Sequence, residues 1–64
     1  MSWKDAKNEA DALIKKADFP ADLNGREIDL NELAAKLPFE GQFRAMVLRA
    51  AARALKARGA KIRQ

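Results

Sequence analysis

Residues 41–64 hold seven cations, Arg44, Arg49, Arg53, Lys56, Arg58, Lys61 and Arg63, and no acid. All nine acids of the chain lie in the first 40 residues, beside six bases, so a net charge of −3 is followed by one of +7. Arginine forks and lysine ammoniums at this density suit one kind of chemistry, the neutralisation of phosphates with release of counterions. Nucleic acid is therefore the expected partner, and an acidic protein is the alternative, since it would satisfy the same charges. The segment also has a plain structural use. Exposed helix faces are commonly charged, cations near a helix C-terminus are favoured by its dipole, and part of the +7 can pair with the acidic half.

Other chemistries are closed by what the chain lacks. It has no cysteine, histidine, threonine or tyrosine, and its one serine is Ser2. Disulfides, thiolate nucleophiles and the common zinc, haem and iron-sulfur sites are excluded, as is a Ser/His or Cys/His pairing. Carboxylate or lysine catalysis would need a water-excluding cleft. With 64 residues, and fourteen of its hydrophobic residues alanine, the chain has only seventeen larger apolar side chains for its core. The expectation is a single small domain without catalysis, cofactor or metal. Asp18, Asp22, Asn24 and Gly25 faintly resemble a calcium loop, but their spacing reads as turn chemistry. No run of 18 apolar residues occurs, and the opening MSWKDAKNE carries charges where a signal peptide needs its apolar core. A soluble, cytoplasmic protein that binds no membrane is expected.

The elements that must position the cations are helical. Only Ile14, Ile28, Val47 and Ile62 are β-branched, while Ala, Leu, Lys, Arg and Glu dominate. The fold class predicted is all-α, three helices at about 3–17, 30–37 and 42–58, with a turn or minimal hairpin at 22–27. Ser2 caps the first helix with Asp5 three residues on, and Trp3, Ala6, Ala10, Leu13, Ile14 and Ala17 form its apolar stripe. This places Trp3 in the core, although a lone tryptophan near a terminus could also be a stacking platform for a base or a partner. Phe19-Pro20 ends the helix. Asn24-Gly25 supplies positive φ angles for a turn joining Leu23 to Arg26. Asp29 caps the second helix, with Ile28 and Leu33 spaced as a hydrophobic staple, and Pro38 stops it. Phe39 and Phe43 are expected to plug an end of the core.

The third helix carries the cations, and Gly59 is placed as its left-handed cap. At about 100° per residue from Phe43, the residues Met46, Val47, Ala50, Ala54 and Ala57 share a core face, and Arg49, Arg53 and Lys56 cluster near 220° to 280°. Leu48, Ala51, Ala52 and Leu55 make a second apolar arc. Either the third helix lies between the other two, or this arc is a face for a partner helix or a homodimer. The second option defines the rival function, a protein-interaction module such as a small inhibitor or adaptor.

Residues 29–59 carry a resemblance. DLNELAAKL, a turn, then FRAMVLRAAARALKARGAKI is similar to helix-turn-helix and winged-helix domains, in which a short helix precedes a recognition helix ending in Leu-x-x-Arg-Gly. Leu33, Ala34 and Leu37 fit the first of these helices, and Val47, Leu48, Leu55, Arg58 and Gly59 the second. The turn is Pro-Phe-Glu-Gly, the second helix is about a turn long for the pattern, and no wing strands are expected after Ile62. The resemblance implies DNA binding with Gln42, Arg44, Ala45 and Arg49 towards the major groove. Of these only Gln42 and the arginines can hydrogen-bond, so contact would be mostly to phosphate.

Overall fold

The computed structural model describes residues 2–63. Its elements run α1 (Trp3–Lys16), β1 (Glu27–Asp29), α2 (Leu30–Ala34), α3 (Gly41–Ala57) and β2 (Lys61–Arg63). The protein is mostly helical, with three helices as expected, but it is not strictly all-α, because β1 and β2 pair as a small parallel sheet.

α1 opens on a capping box in which the Asp5 amide donates to Ser2 Oγ at 3.3 Å and the Ser2 amide donates to Asp5 Oδ2 at 3.1 Å. Two of the first-turn donors that a helix leaves unpaired are thereby satisfied. The helix ends one residue short of the expected boundary. Asp18 takes a left-handed φ of 58°, which aspartate tolerates better than most residues, and its amide donates to the Lys15 carbonyl. The break therefore precedes the Phe19-Pro20 step.

The turn at residues 23–26 forms as its residue types require. Asn24 and Gly25 have φ of 49° and 82°, and the Arg26 amide closes the turn on the Leu23 carbonyl at 2.9 Å. Asp22 Oδ1 accepts from the Asn24 amide at 3.0 Å, an Asx turn that uses this carboxylate locally. The hairpin, however, does not develop. The Leu23 and Gly25 amides donate to the carbonyls of Arg58 and Gly59, and the Lys61 amide donates to the Arg26 carbonyl. From there β1 and β2 run in register as Glu27↔Lys61, Ile28↔Ile62 and Asp29↔Arg63. Parallel pairing requires a long crossover, and α2 with α3 supplies it. The all-α expectation is thus corrected at residues 27–29 and 61–63. Three-residue strands with one β-branched residue each carry too little alternation to be seen locally, and their pairing is decided by where α3 ends.

α2 is shorter than 30–37. Asp29 Oδ1 caps it by accepting from the Asn31 amide at 2.9 Å, and Ile28 and Leu33 are both buried, as the staple requires. Past Ala34 the chain keeps winding in tighter i→i+3 bonds, Lys36 to Leu33 and Leu37 to Ala34. Pro38 disfavours an α conformation for the residue before it, so the last turn tightens instead of continuing.

α3 ends in a Schellman motif. Gly59, at φ +92°, donates to the Lys56 carbonyl, and the Ala60 amide reaches back to Leu55 at 3.1 Å. Leu55 and Ala60 are both buried beneath this turn. The helix packs most extensively on α1 and also touches α2 and β2, so it lies between the other helices. Its more deeply buried side is the second apolar arc: Ala51 and Leu55 are fully enclosed and Ala52 nearly so. On the predicted core face Val47 and Ala50 are buried, Phe43, Met46 and Ala54 are partly buried, and Ala57 is exposed. Phe39 and Phe43 meet edge to face with centroids 4.9 Å apart, against one side of the core.

Candidate functional site

Folding divides the seven cations of the C-terminal segment into separate groups. Arg49, Arg53 and Lys56 are exposed and line one groove together with Leu30, Leu48 and Ala52. Their spacing of four and then three residues places them on successive turns of one helix face. α3 contains no acid, so nothing on the helix itself offsets the three charges.

The other four are placed differently. Arg44 is half-buried and stands roughly 120° or more around α3 from the trio. Arg58 is the C-cap residue of α3, half-buried, with Nη1 donating to the Phe19 carbonyl at 3.4 Å. It ties the connector after α1 to the end of α3. Lys61 and Arg63 lie on β2 directly across from Glu27 and Asp29. In a strand Ile28 and Ile62 share one face and the flanking residues share the other, so each cation faces a carboxylate-bearing position. Part of the basic segment therefore lies opposite acids of the first half of the chain, whereas of the trio on α3 only Arg53 shares a groove with an acid, Asp11.

The second apolar arc has an occupant within the chain. Ala51, Ala52 and Leu55 belong to the hydrophobic core, and only Leu48 of that group keeps exposed surface. A partner helix laid on Leu48, Ala51, Ala52 and Leu55 would have to displace the protein's own packing. Leu48 lies beside Arg49 and Lys56 in the α2-side groove, so the apolar and basic faces adjoin.

Trp3 departs from the expectation of a core position. It is 37% exposed and is the exposed large hydrophobic side chain among the described residues. Alanines at positions 6 and 10 fill the α1–α3 contact closely, being almost fully buried, and leave the indole at the edge of that contact. There the Arg53 guanidinium carbon stands 5.9 Å from the ring centroid, within cation–π range. Trp3, Lys7, Asp11, Ala50, Arg53 and Ala54 line a second groove between α1 and α3. Arg53 thus borders both grooves. Lys7 was not singled out by its residue type. Its signal is its position four residues after Trp3, which puts both on one helix face.

A comparable contact lies at the other end of the molecule, where the Arg26 guanidinium carbon stands 5.6 Å from the Phe19 centroid. Phe19 itself is packed against the core, so this pair covers a hydrophobic end. Among the described residues no group of three or more acidic side chains is arranged to hold a metal ion. No helix among them is long and apolar enough to cross a membrane.

No protein-family model matches the chain, and neither a curated protein nor a solved structure matches it. The functional reading therefore rests on the chain's own residues.

Proposed function

We propose that this chain is a non-enzymatic, cytoplasmic nucleic-acid-binding protein that grips phosphates with one face of α3. The observation that carries this reading is the exposed trio of Arg49, Arg53 and Lys56 on an acid-free helix, lining one groove. The protein tolerates the like-charge repulsion of three cations within two helical turns, and a polyanion relieves that repulsion on binding. The helix-turn-helix resemblance offers a docking geometry with Gln42, Arg44, Ala45 and Arg49 in the first half of α3, of which Arg44 is half-buried and the other three are exposed. Of the four only Gln42 and the arginines can hydrogen-bond, so affinity would come from phosphate more than from base edges.

The test is a titration of labelled duplex DNA, single-stranded DNA and RNA at two salt concentrations. It compares the parent protein with the triple variant Arg49→Gln, Arg53→Gln and Lys56→Gln. Salt-sensitive binding that weakens across all sequences in the variant supports the reading. Unchanged binding by the variant, or no binding by the parent at low salt, overturns it. In the latter case an acidic protein partner would be the reading to pursue for the same face.

A further inference from the structure

The exposed indole of Trp3 calls for an explanation, because burying it would have strengthened a core in which seven of the fifteen buried residues are alanine. We infer that Trp3 and Arg53 form a stacking platform for an unpaired nucleobase, and that the nucleic acid bound by α3 is single-stranded. This rests on the proposed function and adds to it the class of strand and the residue that selects it.

Three features converge on such an occupant. Trp3 offers a flat apolar ring at the surface, and Arg53 offers a planar cation facing it at 5.9 Å. Bases stack well on both kinds of group, and a base held between them needs roughly twice the 3.4 Å base spacing, about 7 Å. That is about 1 Å more than the present separation, a movement within reach of the exposed Arg53 side chain.

Charge is also sorted in the required way. Arg53 lines both the Trp3 groove and the one that holds Arg49 and Lys56, so cations continue from the indole across α3, and the one acid of the Trp3 groove, Asp11, stands a helical turn from Lys7. A strand crossing α3 here would turn a base towards Trp3 and its phosphates towards the trio. Lys7, on the α1 side of the same groove, can meet the next phosphate. A duplex keeps its bases stacked inward and could use only the cations.

The chain has one tryptophan and no tyrosine, so its intrinsic emission reports Trp3 alone. The experiment titrates the full chain with unlabelled 12-nucleotide single-stranded DNA, the same sequence as RNA, and the matching DNA duplex, following that emission. Anisotropy of labelled copies gives affinities for the parent, Trp3→Ala and Trp3→Phe, with circular dichroism confirming that each variant is folded. The expected result is quenching by a single strand and weaker binding of the duplex. Trp3→Ala should lose roughly 5- to 150-fold in single-strand affinity, little for the duplex, and Trp3→Phe should recover most of the loss. Quenching by only one of DNA and RNA supports the platform and identifies its ligand.

Salt-sensitive binding with Trp3 emission unchanged and Trp3→Ala equal to the parent overturns the platform while leaving the phosphate-binding face intact. Absence of binding to all three probes overturns both.

Discussion

Ile28 and Ile62 are direct partners in the parallel ladder between β1 and β2. Ile28 is buried and Ile62 half-buried, so the pair lays two β-branched side chains over one edge of the core and fastens β2 to the connector before α2. The ladder is short, and its worth lies in this packing as much as in its hydrogen bonds.

Truncating the buried member should therefore cost more than truncating the half-buried one. Ile28→Ala is expected to lose about 2–5 kcal/mol, against a total stability of about 3–10 kcal/mol for a domain of this size. Ile62→Ala should lose clearly less. Urea unfolding followed by circular dichroism measures both, and equal losses would show that the two isoleucines share the core contact evenly.

Gly59 and Gly25 both have positive φ, yet they sit in different surroundings. A Cβ at Gly59 would meet the Asn24 amide nitrogen at 3.4 Å, whereas one at Gly25 would meet nothing within 4 Å. Gly25→Ala and Gly59→Ala should each cost about 1–2 kcal/mol from backbone strain, because contacts of 3.4 Å and beyond at Gly59 are ordinary packing and add no clash. At about 4–8 °C per kcal/mol, thermal melts will measure both losses, and a much larger loss at Gly59 would show that the 22–26 turn resists the added methyl.

Leu48 and Leu55 are equivalent positions on a helical wheel, but only Leu55 is fully enclosed. Leu55→Glu would bury a carboxylate with no partner and is expected to unfold the protein. Leu48→Glu should fold and stay soluble. Sedimentation of Leu48→Glu beside the parent then tests for a homodimer through this face: a parent that is dimeric and a variant that is monomeric would restore the partner-helix reading.

The separation of the cations predicts a difference in salt dependence. For duplex DNA, removing Arg49, Arg53 and Lys56 should flatten the slope of log K against log salt by about 2.7, at about 0.9 for each phosphate no longer neutralised. The double variant Lys61→Gln and Arg63→Gln removes cations that face Glu27 and Asp29 and should flatten it by less than half as much. Equal slopes per charge removed would mean that the whole basic segment engages the strand.

Much of the local structure could be read from the chain because it depends on neighbouring residues. The Ser2–Asp5 capping box, the Asp29 cap with its Ile28–Leu33 staple, the Asn24-Gly25 turn and the Gly59 cap each follow from side chains within a few positions of one another. The helical character and the clustering of Arg49, Arg53 and Lys56 follow from propensity and from the 3.6-residue period.

What only the tertiary structure decided involves segments distant in the chain. Ile28 and Ile62 have nothing local to mark them as strand partners; the Schellman turn at Gly59 aims β2 along the connector and creates the ladder. A wheel shows that Leu48, Ala51, Ala52 and Leu55 share an arc, but not that the chain's own core occupies all but Leu48. The same holds for charge and for the lone tryptophan. Composition alone counts thirteen cations, and position along the chain puts seven of them after residue 40, with one indole at residue 3. Packing of α1 on α3 through small alanines leaves Trp3 partly exposed at the edge of the contact and sets Arg53 against it, and strand register puts Lys61 and Arg63 opposite acids. Short-range patterns determine which elements form, and the burial of one element by another determines which of their residues remain available to a partner.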